Sequence, residues 1–219
     1  MNKIAEYTER EKKVYGKLYS DIVYAVDNIS DFVEKDKLKT RKYVSKLPIV
    51  KEYIELIDTA NREADKKGIL DVFRSDEKYK RLLEDYKKRN KNDFKQLMDC
   101  SKCMCLNCSA ECGFDSCIGC VQDSRVKYCD HEKVNFTVYD NFTLNLTNNN
   151  TGEDSTYKVL GIVHNLELDK RYIIIENIND EDDKYILYYY PGISEDQYGE
   201  IENKEELDYV ISLYNAYGD

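Results

Sequence analysis

Apolar positions at the start of the chain follow a helical rhythm. Tyr15, Leu18, Ile22, Ala25, Ile29 and Phe32 recur at steps of three and four, which places them on one stripe of a long amphipathic helix over residues 4–33. Leu47–Pro48 predicts a break, because proline disfavours the helical conformation in the residue before it. A second helix fits Val50, Tyr53, Ile54, Ile57 and Ala60 and ends near Gly68. A third fits Tyr79, Leu82, Leu83, Tyr86, Phe94, Leu97 and Met98. The rhythm changes after residue 133. Val134, Phe136 and Val138 alternate with polar neighbours, as do Phe142, Leu144 and Leu146, which is the period of a strand. Further strands fit Tyr157–His164, Arg171–Glu176, Lys184–Tyr190 and a short edge at Gly199–Glu202, with polar turns at 148–154 and 177–183. Lys204–Ala216 reads as a terminal helix with Leu207, Val210, Ile211 and Tyr214 inward.

Between these patterns lies a stretch with neither period. The chain therefore divides into a helical part (1–99), a cysteine segment (100–133) and an antiparallel sheet closed by a helix (134–219), an α+β organisation whose first part is a helical bundle or hairpin. Charge follows the same division. Residues 1–99 hold 24 basic and 20 acidic side chains, whereas residues 134–219 hold 5 and 18. The net charge of -10 excludes a chain that is basic throughout, such as a nucleic-acid coat. No apolar run approaches the ~18 residues of a membrane span. The first thirty residues are charged throughout, so no signal peptide is expected and the cytoplasm is the default compartment. Lys, Asn, Ile and Tyr, all encodable by A/T-only codons, are abundant, which points to an AT-rich bacterial, phage or plasmid genome.

The strongest chemical signal is the cysteine segment. All eight cysteines lie between residues 100 and 129, in three C-x-x-C pairs (Cys100/Cys103, Cys105/Cys108 and Cys117/Cys120) plus Cys112 and Cys129, with His131 just beyond. A short turn lets two thiolates of such a pair bind one Zn²⁺ at ~2.3 Å. Gly119 sits inside the third pair, where a tight turn suits it. The segment has little core of its own, so metal binding and folding become one process. Disulfides are the alternative in an oxidising compartment, and an iron–sulfur cluster is another, although neither ferredoxin spacing is reproduced. Nine candidate donors suit two tetrahedral zincs with one spare, or three if thiolates bridge. Two are favoured, with Cys129 and His131 returning to close one site and Cys112 as the spare. Dense cysteine points to closed, structural coordination rather than an open catalytic metal. His164, in an apolar strand, is read as no ligand. No catalytic arrangement is expected.

The C-terminal part has a second level of pattern. Val159-Leu160, Tyr172-Ile173, the aromatic run Tyr185–Tyr190, Ile201 and Glu205-Glu206 stand in an order that resembles the small acidic YrzB-like proteins of low-GC Gram-positive bacteria, over about residues 134–216. The resemblance implies a sheet fold and an acidic surface and carries no catalytic residue. The helices and the cysteine segment lie outside its pattern.

Together these readings predict a non-enzymatic zinc protein acting by interaction, with a protein as partner. A basic nucleic-acid-binding protein suits the acidic face, so an inhibitor or regulator carried by a mobile element fits. Tyr188, Tyr190 and Tyr198 are candidate anchors, with Tyr189 on the opposite, inward face. The alternative is direct nucleic-acid binding through the zinc knot and basic clusters such as Lys37, Lys39, Arg41, Lys42 and Lys87, Lys88, Arg89, Lys91. A thiol-redox or enzymatic role is the third.

Overall fold

The computed structural model describes residues 3–65, 72–147 and 152–218. The chain forms two compact units, one of residues 1–102 with 106–109 and one of 103–105 with 110–219. Each is described by itself.

The first unit is helical: α1 (Lys3–Ile29), α2 (Lys35–Thr40), α3 (Lys42–Asp65), α4 (Val72–Arg89) and α5 (Lys91–Cys100). The stripe expected on α1 is buried from Tyr15 to Ile29. Phe32 is not, at 75% exposed, because α1 stops at Ile29 and the N–H groups of Phe32 and Val33 both close onto the Ile29 carbonyl. Val50, Tyr53, Ile57 and Ala60 of α3 face this stripe. The two helices run antiparallel, tied by Thr8 to Asn61 and Lys12 to Asp58. The expected break at Pro48 is absent, and the proline lies inside α3. The break falls instead at Arg41, whose ψ of 131° is extended. Burial explains the displacement. Tyr43 before the proline and Val50 and Tyr53 after it are all buried on one face, and that gain outweighs the one backbone bond a proline removes. The expected third helix is two, divided at Asn90, whose side-chain amide donates to the Tyr86 carbonyl at 3.0 Å. The predicted end near Gly68 lies outside the described residues.

The second unit is a seven-stranded antiparallel sheet with one helix, α6 (Lys204–Tyr217). Its strands are β1 (Ser124–Cys129), β2 (Val134–Tyr139), β3 (Thr143–Thr147), β4 (Asp154–Asn165), β5 (Lys170–Asn177), β6 (Asp180–Tyr190) and β7 (Gln197–Glu200). The order is β1-β2-β4-β5-β6-β7. β2 and β3 follow one another along the same edge of β4, joined by the Val159 N–H bond to the Phe142 carbonyl at 2.8 Å. Gly161 is required where they meet. A Cβ there would stand 2.4 Å from the Phe136 ring. The turn between β5 and β6 is only Ile178–Asn179, so the acidic residues from Asp180 belong to a strand rather than to a loop.

Both faces of the sheet are apolar. One packs Phe136, Val163, Tyr172 and Ile174 under Val210 and Leu213 of α6. Ile211, expected inward, is exposed, and Leu213 takes its place. The other face gathers Val159, Ile173 and Ile175, and every member of that cluster comes from the strands or their connections. Tyr188 and Tyr189 consequently point to opposite faces and are both half-buried. No helix among the described residues is long and apolar enough to cross a membrane.

Candidate metal centre

The nine predicted donors are divided between the two units. Cys100 and Cys108 belong to the helical unit, and the other six cysteines and His131 belong to the sheet unit. All eight cysteines are thiols outside any disulfide. Cys100 is buried at the end of α5, where its sulfur accepts from Gln96 Nε2 at 3.6 Å.

Three thiols of the sheet unit meet. Cys105 bonds through its side chain to both Cys103 and Cys117. The Cys103 sulfur also accepts the backbone N–H of Val126 at 3.2 Å and that of Cys105. The bond from Cys105, helped by these N–H donors and by Arg125, pulls the Cys103 thiol down to about 7 against the opposing effect of burial. Cys105 is pushed in the other direction by its two thiol neighbours and by burial. The contrast follows from a shared proton: the group that accepts becomes the better acid and the group that donates the poorer one.

Cys129 lies at the end of β1 and is buried in a small cluster with Phe114 and Val126, against which Cys103 and Cys105 pack. Strand β1 was hidden in the sequence by the cysteines around it. It pairs with β2 through a bulge between Val126 and Tyr128. Residues three apart point to opposite faces of a regular strand, and the extra residue of the bulge brings Val126 and Cys129 to the same side.

The other donors of the sheet unit make contacts of their own. Cys112 is exposed and donates to the Phe114 carbonyl at 3.0 Å. Cys120 donates to the Val121 carbonyl at 3.4 Å and lies 3.6 Å from Ser124 Oγ. His131 stands exposed in the β1–β2 turn with φ of 68°, and its backbone N–H reaches the Cys129 sulfur at 3.4 Å. Asp130 shapes that turn by accepting the N–H groups of Glu132, Lys133 and Val134. Gly119 fits its expected turn. Its N–H bonds the Asp115 carbonyl, and a Cβ would come within 2.7 Å of that oxygen.

The loop carrying these cysteines covers the β2–β4 end of the second sheet face. Phe114 sets its ring edge-on to His164 at 5.5 Å, and Asn135 Nδ2 donates to Ser116 Oγ at 2.9 Å. The aromatic contact is the role of His164, and sequence spacing gave no signal of it. Burial, with Arg171 nearby, pushes the imidazole below its ordinary value.

Donor chemistry fits zinc: soft thiols, several of them sheltered, with backbone N–H groups directed at sulfur. As they stand, however, no three or more His, Cys, Asp or Glu side chains among the described residues are grouped to hold a metal ion. No family model matches the chain, and neither a curated protein nor a solved structure matches it.

Proposed function

We propose that the chain is a non-enzymatic, zinc-dependent interaction protein that presents an acidic sheet surface to a basic protein, of the kind that itself grips nucleic acid. The observation that carries this reading is the β5–β6 hairpin. Its tip carries exposed Ile178, and exposed Asp180, Glu181 and Asp182 follow it at the start of β6, an apolar side chain close in the chain to three negative charges. Such a pairing suits a partner that is cationic with an apolar recess. The anchors differ from those expected. Tyr188 donates its hydroxyl to Glu206 at 2.9 Å and Tyr189 to Asp196 at 3.1 Å, so these tyrosines serve the sheet, while Tyr190 is exposed. Zinc has a structural part in this proposal, ordering the cysteine segment.

Ion pairing within the helical unit supports the choice over direct phosphate binding. Lys87 bonds Glu11 at 2.8 Å, Lys37 and Lys39 pair with Glu34 and Asp36, and Arg41 donates to the Tyr43 hydroxyl. Lys37, Lys39, Arg41 and Lys87 thus have acidic or polar partners of their own. The test is affinity capture from the host with the full chain against a version carrying Asp180, Glu181, Asp182 and Asp183 all changed to Lys. Recovery of a basic protein by the first and not the second is expected. Equal recovery, or steeply salt-dependent binding of the wild-type chain to duplex DNA in a gel shift, overturns the reading.

A further inference from the structure

We propose that the outer edge of β3 is a self-association surface, and that two copies of the chain pair there antiparallel, about a two-fold axis at Asn145, to continue one sheet across a dimer.

The backbone decides which groups this edge offers. The Val159 N–H bonds the Phe142 carbonyl at 2.8 Å, and the ladder continues with Thr143 opposite Lys158, Leu144 opposite Tyr157 and Asn145 opposite Thr156. Backbone groups alternate in direction along an antiparallel ladder. Leu144 and Leu146 therefore turn theirs to β4, as Phe142 does, and Thr143, Asn145 and Thr147 turn theirs outward. Among the described residues β3 pairs with β4 alone. The two ends of the main strand order are guarded. Strand β1 carries Arg125 and Lys127, and its Val126 N–H is donated to the Cys103 sulfur at 3.2 Å. Strand β7 is four residues long and ends in Glu200. Charge, proline and short length are the usual protections of a sheet edge. Strand β3 has no charge and no proline, in a part of the chain rich in acids.

The sequence of the edge selects its occupant. Thr143-Leu144-Asn145-Leu146-Thr147 reads the same in both directions. Antiparallel pairing centred on Asn145 sets each residue opposite its own kind in the other copy: Thr143 against Thr147, Leu144 against Leu146, Asn145 against Asn145. The outward-facing residues become the hydrogen-bonded pairs, each exchanging two N–H···O=C bonds. The leucines become the non-hydrogen-bonded pairs, whose Cα atoms stand ~4.5 Å apart and whose side chains meet most closely. Leu144, Leu146 and Tyr157 are half-buried at the margin of the second-face cluster, and the dimer joins two such margins into one apolar strip. Charge agrees with this register. Thr143 lies beside Lys158 and Thr147 beside Asp154. Each outer row across the dimer therefore runs Lys158, Thr143, then Thr147 and Asp154 of the other copy, with a cation at one end and an anion at the other. The contact is isologous and consumes the edge it joins, so it closes at two copies and does not grow into a fibre. The acidic excess of residues 134–219 opposes it at low salt, and screening at about 0.15 M relieves that repulsion.

The experiment uses the full chain. Sedimentation equilibrium across a concentration series at about 0.15 M salt measures the dimer constant for wild type, Thr143→Glu/Thr147→Glu and Thr143→Glu/Thr147→Lys. Both threonines are exposed, so both variants are expected to fold, which a denaturant melt of each checks. Wild type is expected to be a dimer that dissociates on dilution. The first variant sets like charges opposite one another in both outer rows and is expected to dimerise about tenfold more weakly. The second carries as many charged substitutions but sets opposite charges there, alternating with Lys158 and Asp154. It is expected to dimerise at least as tightly as wild type. A wild-type chain that stays monomeric, association that continues past the dimer, a dimer untouched by Thr143→Glu/Thr147→Glu, or a Thr143→Glu/Thr147→Lys variant as weak as the first overturns the proposal.

Discussion

Glu206 shows how much of the sheet unit hangs on one side chain. Its carboxylate, nearly buried at the start of α6, receives Lys170 Nζ at 2.7 Å and the hydroxyls of Tyr188 and Tyr172. Burial alone would raise its pKa, but the three donors outweigh burial and hold the group below the ordinary carboxylate value. The folded state therefore binds the proton more weakly than the unfolded chain. The resulting stability is fully present above about pH 4.5 and is lost as pH falls through that value towards the lower folded one. Glu206→Gln keeps the shape, removes the charge and turns half of the acceptor into a donor. It is expected to cost about 2 kcal/mol of sheet-unit stability at neutral pH. It should also flatten the acid limb of the stability profile between pH 5 and 3, read by denaturant melts at each pH. An unchanged acid limb would assign that limb to other carboxylates. Sequence reading matched Glu205-Glu206 to a pattern without seeing this role, because the three donors come from two strands and no local spacing links them to α6.

Elements were legible where a single period governed burial. The α1 stripe and the alternation in β2 carry their own signal, since one side of each is apolar over several turns or pleats, whereas β5 and β6 read as short continuous apolar and aromatic runs because both of their faces are covered. Three elements were misread for identifiable reasons. In α3 a proline outvoted a buried stripe that continues through it. In β1 the bulge disrupted the period of two, and the cysteines invited a purely metal-based reading. The second face of the sheet was missed because its cover is a loop, and loops have no period. The proline gives a clean test of the first case. Pro48→Ala restores an N–H that can bond the Val44 carbonyl and removes the ring from the preceding turn, gains worth up to ~3 kcal/mol in a helix interior. Alanine also frees the unfolded chain by up to ~1 kcal/mol. The net expectation is a helical unit about 1–2 kcal/mol more stable, seen as a higher denaturant midpoint at unchanged slope. A destabilised variant would mean that α3 needs the proline for its packing geometry.

For the molecule as a whole, the boundary at residue 134 suggested by composition differs from the one set by hydrogen bonding. Strand β1 belongs to the sheet, pairing Cys129 with Asn135 and Ser124 with Tyr139, and the loop before it lies on the sheet's second face. A fragment of residues 134–219 would keep α6 and the first face. It would lose the neighbour of β2 and the covering loop, leaving a row of unpaired backbone groups near Leu166, which packs against the cluster of Phe114, Val126 and Cys129 in the full chain. Edge and patch both favour association, whereas 18 acidic against 5 basic residues oppose it. Salt decides between them, because screening shortens the repulsion to about 8 Å at 0.15 M and leaves the apolar attraction intact. The fragment is therefore expected to stay monomeric at low salt, to associate beyond the β3-paired dimer as salt is raised, and to bind a hydrophobic dye at both. The full metal-loaded chain should stop at that dimer and leave the dye dark. Light scattering with dye fluorescence across a salt series checks this. A fragment that grows no larger than a dimer and stays dark to the dye at high salt would show that the sheet closes its second face unaided, and would leave the cysteine loop without a structural task there.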